Sequence, residues 1–431
     1  MTTPASPPAP GTRPPLDPEA VPLSIEGFHS DPHRMYRELR QRHGTVVPVV
    51  LVGDVPAWLV VGYRELHRLL SDPVLFSRDS DLWSQWPYIA DDWPMLPMIG
   101  RKQPSILYTV GEAHTRRGAM VSDALDAVDR IELRGIVEYY ADRLIDGFCG
   151  QGEAELIANF ASSLPILVLA RLFGFPDAEC PALAEALHDM IDGGADAIAG
   201  QQHLLGSMRR LVAARRVQPT ADVATRMLAG ARGFSDEELV QDLMVMSAAG
   251  HQPTADWIGN TLRLMLTDDR FAASFFGGRN SVGDAMNQVL WEDAPSQIIA
   301  GRWASKDTRL GDRHILAGDL LLLGIQGAND DPQVRVDPHA GGPGLPGSPG
   351  SPGSNNAFFS FSHGEHRCPF PAMEIAEVIA RTGIEVILDR LPDLDLSVPP
   401  EALQRRPSPW LRGMTTLPVR FTPTPTHGGH R

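Results

Sequence analysis

A chain of 431 residues, 43% hydrophobic and 21% charged, can bury a large core without disulfide or metal staples. Its 53 acidic and 38 basic residues leave a formal charge of −15. Such a surface repels phosphate backbones and argues against a nucleic-acid partner. The three cysteines, Cys149, Cys180 and Cys368, are odd in number and widely spaced. Neither a disulfide framework nor a zinc pattern fits, and a reducing cytoplasm is the expected compartment. No apolar run reaches the roughly 18 residues of a membrane span, so no membrane association is expected.

Residues 1–20 are proline-rich, lack the basic-then-apolar start of a secretory signal, and are expected to be disordered. Pro32 to Leu39 reads as a short amphipathic helix. Val46 to Val50 and Trp58 to Val61 read as strands around the turn residues Gly53-Asp54-Val55-Pro56. Tyr63 to Leu70 returns to helical spacing. Residues 81–108 are irregular and carry Trp83, Trp86, Tyr88, Trp93, Met95 and Met98. Either a ligand pocket or a packed core would use such residues.

From 112 to about 285 the apolar spacing is helical. Ser235-Asp236-Glu237-Glu238 is a capping box, which predicts a helix from there to about Leu266. Its middle is apolar on all sides, so it is expected to be buried. Ala248-Ala249-Gly250 strip one turn of side chains, which suits a flat ligand or a tightly packed second helix. Pro253 has no N–H, which predicts a kink and a free carbonyl on Ala249.

Strands are expected again at Ile298 to Trp303 and Leu320 to Ile325. Residues 340–356 read as a flexible Gly/Pro/Ser loop and 425–431 as a disordered tail. The prediction is one domain over 21–424, mainly α with a small β-sheet subdomain. Near its end, Phe358 to Arg367 lead into Cys368, and a helix follows from Ala372 to Leu388. A cysteine just before a helix N-terminus is placed where the dipole favours a thiolate. A buried structural cysteine in a turn would look similar.

Phe361-x-x-Gly364-x-His366-x-Cys368 resembles the haem-binding signature of bacterial cytochromes P450. The resemblance extends over nearly the whole chain. Leu243 to His251 resembles the family's central helix, and Ala113-His114-Thr115-Arg116 its propionate-binding helix. Leu411 to Val419 resembles its C-terminal hairpin. The resemblance implies the cytochrome P450 fold, with haem b (iron protoporphyrin IX) between the central helix and the cysteine loop. Cys368 would be the axial ligand to iron. His114, Arg302 and His366 would hold the propionates, and Phe361, Ala249 and Gly250 would lie against the macrocycle. It further implies a monomeric oxidoreductase that inserts one oxygen atom into a hydrophobic small molecule, using a ferredoxin-type electron donor. Trp83, Trp86, Tyr88, Ile298, Ile299 and Trp410 are the expected substrate pocket.

The chain also departs from the family. Gln252-Pro253 stands where the family has an acid–alcohol pair for proton relay, and Thr254 comes one residue late, about 100° round the helix. Gln288 and Trp291 replace the family's Glu-x-x-Arg pair, and the later arginine position falls near Ala340. All three ionic partners being absent together predicts a neutral core there. Gly118 stands where an arginine is usual. Pro369 and Pro371 remove backbone N–H groups that would donate to the sulfur. Two alternatives follow: a peroxide-driven enzyme, and a haem-containing binding or signalling protein.

Overall fold

The computed structural model describes residues 15–23, 25–100, 102–192, 197–268, 281–334 and 356–427. The expected tail over 1–20 therefore lies outside the described residues except for 15–20. The same holds for the loop at 340–356 except Asn356, for position 340, and for 428–431.

Among the described residues, eleven short strands form three sheets: β1 (Val21–Pro22), β2 (Val46–Leu51), β3 (Val55–Val60), β4 (Phe76–Ser77), β5 (Glu153–Glu155), β6 (Ile299–Ala304), β7 (Thr308–Leu310), β8 (Arg313–Ile315), β9 (Leu320–Leu323), β10 (Asp395–Leu396) and β11 (Pro418–Arg420). The largest sheet has the order β1-β2-β3-β9-β6-β4. β2 and β3 form the expected pair, Val46 opposite Val60. Ile325, read as strand, instead opens the short helix Ile325–Asn329. No hairpin forms over 411–419. β11 pairs with β10 and β5 instead, and Leu411 and Met414 make isolated bridges to Ser296 and Arg405.

The rest is mostly helix, and the Asp236–Thr267 helix runs through the core. Its start is fixed reciprocally: Ser235 Oγ accepts from Glu238 N at 3.3 Å, and Glu238 Oε2 accepts from Ser235 N at 2.8 Å. Losing such a cap costs about 1 kcal/mol. The helix packs on Ser163–Phe173, Val282–Glu292 and Phe370–Arg390. Trp257 Nε1 donates to the Met286 carbonyl at 2.9 Å, which ties two of these helices together.

A second core lies between the large sheet and the 81–108 segment. Trp83 packs against Trp86, Trp93 and Trp303, with centroids 5.2, 5.8 and 6.3 Å away. The far end of that segment is fastened to the central helix: Ile106 N donates to Asp242 Oδ1 at 2.7 Å, and Arg117 Nη2 donates to the Pro104 carbonyl at 2.6 Å.

Candidate active site around Cys368

The cysteine loop is shaped by its backbone. Gly364 has φ +74, which only glycine adopts freely, and a Cβ there would lie 2.1 Å from the Leu70 carbonyl. The helix Tyr63–Ser71 therefore seats directly against the loop. Cys368 N donates to the Phe361 carbonyl at 3.0 Å, closing the turn that presents the sulfur. Phe361 lies edge-on to Trp257 at 5.8 Å, tying the loop to the central helix. The helix after Cys368 runs Phe370–Arg390, two residues earlier than expected at its start. Burial pushes the Cys368 thiol up to about 12 and is the only influence on it. A cation at the sulfur would favour the thiolate against that cost.

Beside the loop, two arginines and two histidines converge, with Glu365 next to the histidines. The His114 and His366 rings stack at 4.0 Å. His114 Nε2 lies 3.2 Å from the Glu365 carbonyl. Arg302, on β6, is 2% exposed, and its Nη1 reaches its neighbour's carbonyl, Gly301 O, at 3.2 Å. Burial, with Arg78 close by, pushes Arg302 well below its ordinary value. His366 is pushed down to about 2 by burial and by Arg302, Arg78 and His114. His366 Nε2 and Arg78 Nε are both buried without a hydrogen-bond partner. Buried polar atoms without partners are costly unless a further group joins them, and a buried guanidinium favours an anion. The cluster therefore fits a group carrying two carboxylates.

Relatives agree with this geometry. No family model matches the chain. It is 27% identical over 405 residues to Cytochrome P450 107B1 of Saccharopolyspora erythraea, covering 92% of this chain and 96% of that protein. It is also 27% identical over 409 residues to the cytochrome P450 monooxygenase PikC of Streptomyces venezuelae, covering 92% of each. The structure of CYP154A1 from Streptomyces coelicolor superposes with a TM-score of 0.79 at 26% identity, covering 93% of this chain and all of that one. The chain is homologous to bacterial cytochromes P450 over nearly its whole length. Cytochromes P450 hold a haem, and the residues present fit one: Cys368 for the iron, and His114, His366 and Arg302 for the propionates. No helix among the described residues is long and apolar enough to cross a membrane.

Arg78 was missed by the sequence reading. It follows β4, whose Ser77 pairs with Trp303, so Arg78 lands beside Arg302. Its Nη1 donates to the Ala300 carbonyl at 2.9 Å. It adds a guanidinium where Gly118 on the Gly111–Asp126 helix supplies none. A two-residue strand leaves no periodic signal from which to find it. Arg117, next to Gly118, is buried on Asp242 (Nε to Oδ2, 2.5 Å) and cannot serve.

The central helix needs three corrections. A Cβ on Gly250 would meet Leu169 Cδ1 at 3.0 Å, so its smallness serves helix packing on that side. Thr254 is 3% exposed, packed into protein and not beside the open space that Ala249 faces. Gln252 is buried, with Nε2 donating to Asp256 Oδ1 at 2.9 Å. Pro253 remains half-exposed.

On the substrate side, Trp83 is a core residue, and Trp86, whose Nε1 donates to the Ser80 carbonyl at 2.6 Å, packs with it. Tyr88 and Ile299 are half-buried, and Ile298 is buried. Trp410 is brought to Ile298, because its carbonyl accepts from Gln297 N at 2.9 Å and Ile298 N at 3.3 Å.

The altered Glu-x-x-Arg region is only partly neutral. Trp291 is buried edge-on to Phe358 at 5.7 Å. Gln288 is half-buried and donates to Glu292 Oε2 at 2.9 Å. Next to it lies an ionic cluster the sequence did not reveal. Asp293 accepts from Arg405 and Arg412, and from Arg263 at 2.9 Å. Arg405 Nη1 also donates to Asn260 Oδ1 at 2.7 Å. Burial alone would raise the Asp293 carboxyl; the three arginines outweigh it and hold it well below its ordinary value.

Proposed function

We propose that this chain is a haem b monooxygenase that inserts one oxygen atom into a hydrophobic small molecule, with electrons from a ferredoxin-type donor. One observation carries the reading. Cys368 sits on a turn held by the Phe361 carbonyl, and beside it Arg78, Arg302 and His366 form a buried cluster with unmet donors. Bound there, haem supplies the electron transfer and dioxygen cleavage that side chains cannot, and a thiolate ligand favours the cleavage. The chain's own residues position it: the arginines and histidines bind carboxylates, and Phe361 and Trp257 brace the sulfur-bearing turn. Ile298 and Trp410 give an apolar wall suited to a substrate with little polarity.

A peroxide-driven reaction is the second reading. It is favoured by Pro253 facing outward while Thr254 is turned into protein, so that neither position places a hydroxyl on the open face of the helix. The test is the difference spectrum of the reduced protein with carbon monoxide, followed by turnover of an apolar substrate panel with dioxygen plus a ferredoxin couple, or with peroxide. Cys368→Ala is expected to abolish the thiolate-type spectrum. A variant that keeps it would sink the assignment.

A further inference from the structure

The central helix turns one stripe toward open space. Between Leu239 and Met265, Ala249 alone is exposed, and Val245, Met246 and Pro253 around it are half-buried. At about 100° per residue, Asp256 follows Ala249 by two turns and points within about 20° of it. Thr254 points about 140° away. Asp256 is 5% exposed, its Oδ1 is held by Gln252, and its Oδ2 is buried with no hydrogen-bond partner.

The C-terminal segment closes over this carboxyl. A Cβ on Gly413 would lie 2.0 Å from Asp256 Oδ1, so only the bare backbone passes. Arg405 and Arg406 are the charged groups acting on the carboxyl from that segment, and both are half-buried beside the exposed Gln404 and Pro407. The carboxyl is thus sealed on one side by the C-terminal segment, shares its side of the helix with Ala249 about 10 Å along the axis, and lies near the half-buried Arg405 and Arg406.

We propose that Asp256 is the proton donor for chemistry on the open face of the central helix, in place of the acid–alcohol pair absent at Gln252 and Pro253, with Gln252 as its positioning residue. The idea rests on the monooxygenase reading. In the step, the Asp256 O–H bond breaks and its proton passes to a water on the stripe beside Ala249 and Pro253. The carboxylate then takes a proton back from solvent past Arg406. No electrons move in this step; the electron donor supplies them separately.

Burial pushes this carboxyl up to about 6 against the pull of Arg406, the Gln252 hydrogen bond and Arg405. A group so placed holds its proton in mildly acidic solution and is mostly ionised at pH 7, so its acid role is strongest below neutrality. An amide at 252 donates to Oδ1 and leaves Oδ2 as the site of the proton.

The test has two arms on the full-length protein. Infrared difference spectra, wild type against Asp256→Asn, are expected to show one buried protonated carboxyl lost in the variant. That signal should disappear with a midpoint near 6 as pH is raised. Gln252→Leu should shift its frequency and midpoint but not delete it. In the second arm, the ratio of dioxygen-driven to peroxide-driven turnover should fall about 100-fold in Asp256→Asn, the low end for a positioned acid. A wild-type protein without the titrating carboxyl, or one whose signal survives in Asp256→Asn, overturns the proposal whatever the turnover. An unchanged ratio in an active enzyme also overturns it. A chain with no thiolate-type carbonyl spectrum fails the monooxygenase reading instead, and the infrared arm still decides on Asp256.

Discussion

Replacing Asp293 by asparagine keeps shape and removes one charge from beneath three guanidiniums. Side-chain exposure is 7% for Asp293, 9% for Arg412, 14% for Arg405 and 24% for Arg263. Arg263 can turn to water, but Arg405 and Arg412 cannot do so without opening the C-terminal segment. Stranding a buried partner costs about 3–5 kcal/mol, and the partial access of Arg263 argues for about 3. That is roughly a hundredfold change in the folding equilibrium, against a total stability of about 5–15 kcal/mol. The assay is urea unfolding of wild type and Asp293→Asn from pH 8 to pH 3. Because the folded carboxyl lies below its unfolded value of about 3.9, its contribution is complete above that value and is lost as pH falls. The gap between the two proteins should therefore be full at pH 7 and narrow below about pH 4. A gap under about 1 kcal/mol at neutral pH, typical of an exposed pair, would refute the reasoning, as would a gap that widens on acidification.

Three further outcomes follow. Arg78→Leu removes charge-assisted hydrogen bonds worth about 1.5–3 kcal/mol, so haem transfer to a scavenging apoprotein should run about 10- to 100-fold faster, and an unchanged rate would exclude Arg78 from the haem site. Gly364→Ala meets both a positive φ and the Leu70 carbonyl, so it should cost more than the roughly 1–2 kcal/mol of a left-handed residue alone and yield purified protein poor in haem; full haem content would contradict the close seating on Leu70. Gln288→Glu sets a like charge four residues before Glu292 at a half-buried position, so thermal unfolding should show a loss of only about 0.2–0.5 kcal/mol; a loss of several kcal/mol would mean the position is sealed from water.

Features with a period or a named chemical pattern were legible in the sequence. The capping box at Ser235 and the strand from Val46 lie where residue order puts them, whereas the strand read from Trp58 begins at Val55 and the helix read from Ala372 begins at Phe370. Features made by distant segments were not. Arg78 reaches Arg302 through a two-residue strand, and Asp293 gathers arginines from residues 263, 405 and 412. The small residues Ala249 and Gly250 read alike in sequence but face opposite surroundings, because about 100° of rotation separates open space from Leu169. Asp256 was passed over because a lone aspartate in a helix is usually solvated, and only burial beneath Gly413 sets it apart.

The aromatic segment after β4 is pinned at its middle and near its far end: Trp93 Nε1 donates to the Val52 carbonyl at 2.7 Å, and Ile106 is held by Asp242. A cover clamped in this way lifts only as far as its clamps yield. The second clamp stands on the central helix, one turn before Val245 and Met246. The cover and the reaction face therefore share one post, and a bulky guest that strains the cover also loads the helix. Changes at Asp242 are therefore expected to alter a guest's residence time more than which molecules fit.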